Sequence, residues 1–189
     1  MSHPATSDEQ LLRQMREGSE AAFVALYERY QGGIYRFAAH MSGNHALAEE
    51  VTQETFLQLI QQPERYQAQR GPLAAYLFGI ARNLTRRGLQ QQRACASLEH
   101  AVLNEDAGPR AADDALEELT RTEDLDHLRK ALLALPEMYR EAVVLCDLQE
   151  NSYAQAGELL RCAPGTVASR LHRARAMLQQ RLRSLTCRT

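Results

Sequence analysis

Apolar residues recur every three or four positions along most of this chain of 189 residues. The first clear run falls between residues 8 and 92, and its strongest members are Ala21, Phe23, Leu26, Tyr27, Tyr30, Ile34 and Phe37. This period matches the turn of an α-helix and not the alternation of a strand. Glycine and proline, with 10 and 6 residues, are too few for the many turns of an all-β chain. The sequence therefore predicts an all-α protein.

The helical pattern lapses between residues 94 and 121. This stretch contains the string NEDAGPRAADD, in which glycine, proline and acidic residues cluster as they do in linkers. Periodicity returns at Leu125, Leu128, Leu132 and Leu135. We therefore predict two small helical domains, at 1–93 and 122–189, joined by a flexible acidic linker. Such a linker typically spans about 30 Å and reaches at most about 95 Å.

The formal net charge of −2 averages over segments of opposite sign. Residues 99–126 hold ten acidic residues and two arginines, whereas residues 161–189 hold seven arginines and no acid. A second basic stretch, 63–93, holds six arginines and one glutamate. Arginine suits phosphate and base-edge contacts, but a preference for arginine over lysine equally fits a GC-rich genome, so the distribution of charge is more informative than the choice of residue.

Several functional classes find no support in the sequence. No apolar run approaches the roughly 18 residues of a membrane span. The N-terminal MSHPATSDEQ lacks an apolar signal-peptide core, so we expect a cytoplasmic protein. The four cysteines, Cys95, Cys146, Cys162 and Cys187, form no CxxC pair and are interpreted as reduced thiols without a metal. No phosphate loop or nucleophile–base motif is present, so we expect neither an enzyme nor a cofactor.

The C-terminal helices are predicted to form a helix-turn-helix. A helix over 125–135 is followed by another over 137–148, since Pro136 between them closes the first and suits the first turn of the second. Ser152 is the expected N-cap of a short helix. A turn over 161–165 follows, and Thr166 is predicted to cap a long final helix.

The final helix has two different faces. Its apolar stripe consists of Val167, Leu171, Ala174, Leu178 and Leu182. The opposite face suits the DNA major groove, where arginine bonds guanine and serine or histidine reaches other base edges. Ser169, His172 and Arg173 are the predicted base readers, while Thr166, Arg170 and Arg175 complete the predicted DNA-binding set. The alternative is a solvated polar face on an ordinary bundle helix.

The string PGTVASRLHRAR, residues 164–175, together with Leu135-Pro136 and Arg140 before it, resembles region four of extracytoplasmic-function (ECF) sigma factors of the sigma-70 family. The resemblance implies a helix-turn-helix that docks at the minus-35 promoter element. The chain departs from the family at Gln155, Ala156 and Gly157, where an acidic residue, a bulky aliphatic residue and alanine are usual. Glycine within a helix costs about 1 kcal/mol, so this supporting helix is either marginal or closely packed.

The segment 45–56 resembles region two of the same family, in which this helix binds the clamp helices of the largest polymerase subunit. The resemblance assigns polymerase binding to Leu47, Glu50, Val51, Gln53, Glu54 and Leu57. Apolar groups on both sides of the helix, with acids among them, suit burial against a basic partner. The same pattern also fits a central helix that its own domain covers on both sides.

The string YLFGIARN, residues 76–83, resembles the family stretch that melts and reads the upstream edge of the transcription bubble. In the family, this helix and the loop before it, here 66–72, capture a flipped base of the minus-10 element. The implied minus-10 residues are Tyr66, Arg70, Tyr76, Arg82, Asn83, Arg86 and Arg87. An apolar stripe on this helix leaves Gly79, Arg82, Asn83 and Arg86 on the expected exposed side. Tyr76 replaces a usual tryptophan, and Gly79 replaces a usual basic residue.

Both strings together predict a sigma factor that binds core RNA polymerase and directs transcription initiation by recognising minus-10 and minus-35 DNA and melting the minus-10 region. The implied partners are core RNA polymerase, promoter DNA and an anti-sigma factor, often membrane-anchored, which would hold the protein at the inner membrane rather than the nucleoid. The rival interpretation is a stand-alone helix-turn-helix transcriptional regulator with an N-terminal sensing domain. Such a regulator would bind duplex DNA tightly without polymerase.

Overall fold

The structure, a computed structural model, describes residues 6–99 and 116–186; at 93, 95–99, 116–124 and 184–186 it describes the helical backbone alone. All regular structure in these two ranges is helical, which confirms the predicted fold class. The α-helices are α1 (Asp8–Arg16), α2 (Glu20–Ser42), α3 (His45–Gln61), α4 (Leu73–Glu99), α5 (Leu116–Leu133), α6 (Glu137–Val143), α7 (Tyr153–Leu160) and α8 (Pro164–Thr186). None of these described helices is long and apolar enough to cross a membrane.

Helices α1–α4 form the N-terminal domain, with α2 packed against the other three. Side-chain caps define where its helices begin, because the first N–H groups of a helix lack partners within it. Ser7, Ser19 and Asn44 each accept a hydrogen bond from a backbone N–H at the start of α1, α2 and α3. The loop between α3 and α4 contains two 3₁₀ turns, Pro63–Arg65 and Ala68–Arg70.

Helices α5–α8 form the C-terminal domain, in which α8 packs against α5, α6 and α7. The predicted helix over 137–148 is confirmed, but its last turn, Val144–Leu148, is π-helical. The predicted N-cap Ser152 is also confirmed. Its hydroxyl accepts from the Gln155 N–H while the Gln155 side chain accepts from the Ser152 N–H, a reciprocal capping box.

Several predicted helix ends differ from the observed ones. Helix α4 runs to Glu99 and α5 already begins at Leu116, so helices enter both ends of the segment 94–121 that composition marks as a linker. Glutamate and leucine are good helix formers, so these residues extend a helix without an apolar stripe. The prediction that Thr166 caps α8 is wrong, because α8 begins at Pro164. Proline suits the first helical position, and the Ala163 carbonyl accepts from both the Thr166 and Val167 N–H groups.

The two domains pack directly against each other. Helix α7 lies on α4, and α5 and α6 contact α2. Buried side chains of both domains belong to one continuous apolar cluster, from Leu26 and Ile34 in α2 to Leu145 and Leu171 in the C-terminal domain. The C-terminal domain therefore covers part of the α4 surface on which the predicted minus-10 residues lie.

Candidate nucleic-acid interface

The helix-turn-helix consists of α7, a turn at 161–163 and α8. Arg161 closes α7 in the left-handed conformation, with φ 53° and ψ 48°. Gly157 lies opposite this turn, and a Cβ at its position would come within 2.8 Å of the Cys162 carbonyl oxygen. The departure from the family at Gly157 is therefore explained by close packing and not by a marginal helix.

Helix α8 divides its faces as the sequence predicts. Val167, Leu171 and Ala174 are buried, whereas Ser169, His172 and Arg173 are exposed on the other side. The Ser169 hydroxyl donates to the Thr166 carbonyl at 2.9 Å, which leaves the serine oxygen free to accept from a base edge. Three candidate base readers thus share one accessible strip of a helix that fits the major groove.

The flanking arginines of α8 have partners that the sequence does not suggest. Arg175 binds both carboxylate oxygens of Asp147, at 3.1 Å from its Nε and 2.5 Å from its Nη2. Burial raises the pKa of the Glu141 carboxyl, and the charge of the half-buried Arg170 slightly offsets this rise. Any phosphate that binds Arg175 must compete with Asp147. The two residues are 28 positions apart, so helical spacing could not predict their pairing.

The loop before α4 contains a small cavity of about 80 Å³. Two tyrosine rings meet at it, with the centroids of Tyr66 and Tyr76 5.7 Å apart and the planes tilted by 54°. Arg70 and Gly71 line the same cavity. Burial raises the pKa of Tyr66, and the nearby Glu9 and Asp8 carboxylates add to the rise, so the ring remains a neutral hydrogen-bonding group.

Asn83 lies at a second cavity, of about 230 Å³, along the neighbouring face of α4. Tyr76, Gly79, Ile80 and Arg82 line it as well. The two cavities share Tyr76 and also Arg161, which comes from the C-terminal domain. Five of the seven predicted minus-10 residues thus line two adjoining cavities instead of one pocket, and Arg86 and Arg87 line neither.

Gly79 faces open space: a Cβ built there has no heavy atom within 4 Å, apart from its own helix backbone and chain neighbours. Packing therefore does not require glycine where the family usually has a basic residue. The charge missing from this position has to come from neighbouring arginines of α4.

Arg82 does not lie on an exposed side of α4, which corrects the sequence-based expectation. Its guanidinium pairs with both oxygens of Glu141 in α6, through Nε to Oε1 and through Nη2 to Oε2 at 2.9 Å. The Glu141 side chain has no solvent exposure, whereas that of Arg82 is 33% exposed. Burial raises the pKa of the Glu141 carboxyl, and the Arg82 guanidinium partly offsets this rise. Because the pair joins residues 59 positions apart, helical spacing could not predict it.

Arg86 and Arg87 are adjacent in sequence but lie on different surfaces of the protein. The Arg86 Nε lies 3.1 Å from the Glu137 carboxylate of α6. Arg87 lines a groove between α3 and α4 instead. A helix turns 100° per residue, so adjacent arginines cannot share one face.

The groove between α3 and α4 measures about 260 Å³. It brings together four of the six predicted polymerase-binding residues, namely Leu47, Glu50, Val51 and Glu54. Gln53 and Leu57 are exposed and lie outside its lining. Leu47 and Val51 are nearly buried, so the reading of α3 as a central helix describes their packing correctly.

The sequence did not assign to this groove its four α4 residues, Leu84, Arg87, Gly88 and Gln91. Gly88 is the one with a recognisable signal. A Cβ at its position would come within 2.5 Å of Leu47 Cδ1, so the glycine lets α3 and α4 approach closely. A glycine inside a strong helical pattern marks such a contact.

Among the described side chains, no group of three or more histidine, cysteine, aspartate or glutamate residues could hold a metal ion. Cys146 and Cys162 are free and half-buried. Burial raises the pKa of the Cys146 thiol, and Asp147 adds to the rise. The side chains of Cys95 and Cys187 lie outside the described residues.

Two sequence-family models match this chain. The model for Sigma-70 region 2 matches residues 26–95, and the model for Sigma-70, region 4 matches residues 125–178. The first match covers the α3–α4 groove and the N-terminal residues of both α4 cavities. The second covers the helix-turn-helix, including Arg161, which lines both cavities.

Similar proteins match over nearly their whole length. RNA polymerase sigma factor CarQ of Myxococcus xanthus is 33% identical, over 92% of this chain and 97% of its own. ECF RNA polymerase sigma factor SigW of Bacillus subtilis is 29% identical, over 92% of this chain and 96% of its own. A solved structure of the sigma factor RpoE from Bartonella quintana, in complex with the anti-sigma factor NepR, has a TM-score of 0.58 and 28% identity, covering 81% of this chain and 91% of that one.

Proposed function

This chain belongs to the ECF sigma factors of the sigma-70 family, and from that premise we propose that three separate surfaces divide its work in transcription initiation. The exposed strip of α8 reads the minus-35 element. The two α4 cavities hold the separated minus-10 strand, and the α3–α4 groove binds core RNA polymerase. A stand-alone regulator is not supported, because full-length sigma factors match both domains.

The observation that carries the proposal is the exposure of Ser169, His172 and Arg173 on one strip of a helix-turn-helix. Residues 161–189 add seven arginines and no acid, so this end of the chain attracts phosphates over a wide surface. Arginine bonds to guanine bidentately, and each such pair contributes about 1–3 kcal/mol of discrimination. Arg173 is therefore the main candidate for sequence recognition at the minus-35 element.

At the minus-10 element, the chemistry required is capture of an unstacked base. Tyr66 and Tyr76 supply aromatic rings, and Asn83 supplies an amide with both donor and acceptor groups. Arg70 and Arg82 are cationic groups next to the cavities that suit the phosphates of the displaced strand. Binding energy alone drives strand separation on this scheme, without covalent catalysis.

At the α3–α4 groove, an apolar floor lies beside an acidic rim. Leu47, Val51 and Leu84 form the floor, Glu50 and Glu54 stand on the α3 side, and Arg87 stands on the α4 side. This combination suits an apolar partner segment with basic flanks. We assign the groove to core polymerase.

The proposed partners include a regulatory protein. The Bartonella quintana sigma factor was solved together with an anti-sigma factor, and this chain is 28% identical to it. We propose that an anti-sigma factor also controls this chain, and that the protein works in the cytoplasm at the nucleoid.

The test is in vitro transcription with core polymerase on fragments of the source genome, followed by mapping of start sites. We expect start sites that share two upstream elements, and none with core polymerase alone. Start sites without a shared minus-35 element would contradict the role of α8. Duplex binding of full strength without polymerase, and no polymerase-dependent initiation, would contradict the function itself.

The polymerase surface is tested by reversing two charges, Glu50→Lys with Glu54→Lys. Because this replaces two acids at the rim with bases, we expect core binding to weaken about tenfold or more in a pull-down titration. The matched control is Glu17→Lys, an exposed position at the end of α1. Unchanged core binding in the double variant would assign α3 a structural role only.

A further inference from the structure

The Asp147–Arg175 ion pair joins the turn after α6 to the final helix, next to the base-reading strip of α8. Arg175 follows His172 by three residues, and residues three apart on a helix are neighbours on its surface. Both partners are accessible to solvent: the Arg175 side chain is 56% exposed and that of Asp147 is 29% exposed. The pair therefore lies beside the surface that we assign to the minus-35 element.

Asp147 is held in place by the backbone that carries it. It belongs to the π-helical turn Val144–Leu148, and such turns are rare and frequently found at functional sites. The Leu145 carbonyl accepts from both the backbone N–H and the side-chain amide of Asn151, at 3.0 and 2.9 Å. These two bonds fix the path of the chain just after Asp147. The carboxylate is thus presented to α8 from a defined position.

The pairing occupies one edge of the Arg175 guanidinium and leaves another edge open. Nε and Nη2 donate to the two Asp147 oxygens, at 3.1 and 2.5 Å. A guanidinium has five N–H donors, so three remain, two on Nη1 and one on Nη2. Arg175 makes no other hydrogen bond or ion pair with the residues that the structure describes. Nη1 and Nη2 can therefore bind O6 and N7 of one guanine together.

The charge of Asp147 determines which acceptor suits this open edge. Its hydrogen bond to Arg175 raises the pKa of that guanidinium, so the arginine stays protonated while the carboxylate offsets its positive charge. A phosphate that approaches Arg175 brings a second negative charge close to Asp147, and like charges repel. The acceptor atoms of guanine are neutral and meet no such repulsion. The pair therefore weakens the attraction to phosphates more than the attraction to a base edge.

The final helix supplies no acid of its own that could have this effect. Residues 161–189 hold seven arginines and no acidic residue. Each arginine that contacts a phosphate strengthens binding to all duplexes alike and makes that binding more sensitive to salt. Such contacts carry no sequence information. An acid from outside the helix, Asp147, is what separates Arg175 from this general attraction.

We propose that Asp147 is a specificity-determining residue of the helix-turn-helix: it positions Arg175 for a guanine of the minus-35 element and keeps it from acting as a general phosphate contact. This inference rests on the proposed function, because it takes α8 as the minus-35 reader. Asp147 acts through Arg175 and does not itself contact the DNA.

The test measures binding of the full chain to two duplexes of about 20 base pairs by fluorescence anisotropy. One duplex carries the sequence that the full chain selects from a pool of random duplexes, and the other carries the same bases in scrambled order. Each affinity is measured at several salt concentrations between about 50 and 200 mM. The slope of log affinity against log salt concentration reports the number of phosphate contacts.

Asp147→Asn removes the charge and nearly keeps the shape of the side chain. We expect this variant to bind the scrambled duplex about threefold or more tightly at low salt, with a salt slope steeper by about one, because Arg175 becomes a phosphate contact. Its preference for the selected duplex should fall by about threefold or more. Far-UV circular dichroism shows that each variant is folded.

Two further variants show whether Asp147 acts through Arg175. Arg175→Gln should weaken binding of the selected duplex by about fivefold or more and change binding of the scrambled duplex little. In the Arg175→Gln chain, adding Asp147→Asn should have no further effect on the slope or the preference. The matched control is Glu150→Gln, which removes an equal charge at an exposed position three residues away and should leave both quantities as in the wild type.

An unchanged slope and preference in Asp147→Asn overturn the inference, and so does an equal change in Glu150→Gln. If Arg175→Gln weakens both duplexes alike, Arg175 is an ordinary phosphate contact and Asp147 does not determine specificity. Failure of the proposed function has a different signature, since the selected sequence would then be absent upstream of the mapped start sites whatever the Asp147 variant does. A chain that selects no preferred sequence overturns both.

Discussion

At the residue scale, two glycines in helices of this chain have opposite surroundings. Gly157 lies against the Cys162 carbonyl, where a Cβ would approach to 2.8 Å, and backbone cannot swing aside as a side chain can. Gly79 faces space that is open to 4 Å. Glycine in a helix loses more conformational entropy on folding than alanine does. Alanine therefore gives the more stable helix, except where its Cβ has no room.

We therefore predict opposite effects of the same substitution. Gly157→Ala should lower the free energy of unfolding by about 1–3 kcal/mol, because it overpacks the turn of the helix-turn-helix. Gly79→Ala should raise it by about 0.5–1 kcal/mol through helix propensity. Urea titrations followed by circular dichroism measure both. Equal changes in the two variants would contradict the close packing at Gly157.

Tyr30 provides a pH-dependent case at the same scale. Its hydroxyl donates to the Asp8 carboxylate of α1. Burial raises the pKa of Tyr30 above its ordinary value of 10, and the Asp8 carboxylate adds to the rise. Above pH 10 the unfolded chain releases this proton while the folded chain retains it, so folding becomes less favourable as the pH rises.

We predict that Tyr30→Phe flattens the loss of stability that sets in above about pH 10 and costs about 1 kcal/mol at neutral pH. Burial raises the pKa of Tyr66 and Tyr76 as well, so some alkaline slope should remain. Urea unfolding at several pH values measures the slope. An identical slope in wild type and variant would show that Tyr30 does not contribute.

At the element scale, periodicity predicts which segments are helical but not where each helix ends. The stripe of Val167, Leu171 and Ala174 positions α8 correctly because burial follows the helical turn. The start of α8 at Pro164 instead of Thr166 depends on the Ala163 carbonyl and on proline lacking an N–H, which apolar spacing does not encode.

For the functional residues too, the sequence predicts what depends on one helix but not what depends on contacts between distant residues. Exposure of Ser169, His172 and Arg173 follows from their helix face alone, and it was predictable. The pairing of Arg82 with Glu141 joins two domains across 59 residues, so only the tertiary structure reveals it. For the same reason the split of the minus-10 residues into two cavities could not be foreseen.

Substitutions in α8 and in α4 should therefore impair different steps of promoter recognition. We predict that Arg173→Ala weakens binding of duplex minus-35 DNA and relaxes its sequence preference by about 1–3 kcal/mol. Asn83→Ala should leave duplex binding unchanged but impair opening of the minus-10 region. Anisotropy with duplex DNA and permanganate footprinting of the holoenzyme complex measure the two effects.

Arg181→Ala is a charge-matched control on the same helix, about two turns beyond Arg173. It should weaken binding to all duplex sequences alike, as expected for loss of a positive charge near the DNA phosphates. If Asn83→Ala instead lowers duplex binding while transcription from pre-melted templates stays normal, the division of labour between α4 and α8 is wrong.

At the scale of the whole molecule, the two domains do not behave as independent bodies on a tether. Their buried side chains form one apolar cluster, and the Glu141 carboxylate of one domain is satisfied by a cation of the other. Unfolding either domain would expose the other's interface and leave Glu141 or Arg82 without its partner. Two domains unfold together when the free energy contributed by their interface exceeds the difference between their own free energies of unfolding.

We therefore predict one cooperative transition for the wild-type chain in differential scanning calorimetry at neutral pH. Arg82→Glu should separate it into two, because an open interface allows each domain to unfold at its own temperature. Glu17→Gln, at an exposed position directly after α1, should keep the single transition. Two transitions in the wild type would mean that the interface contributes too little free energy to couple the domains. A single unchanged transition in Arg82→Glu would mean that apolar packing alone couples them, and that the buried ion pair is dispensable for it.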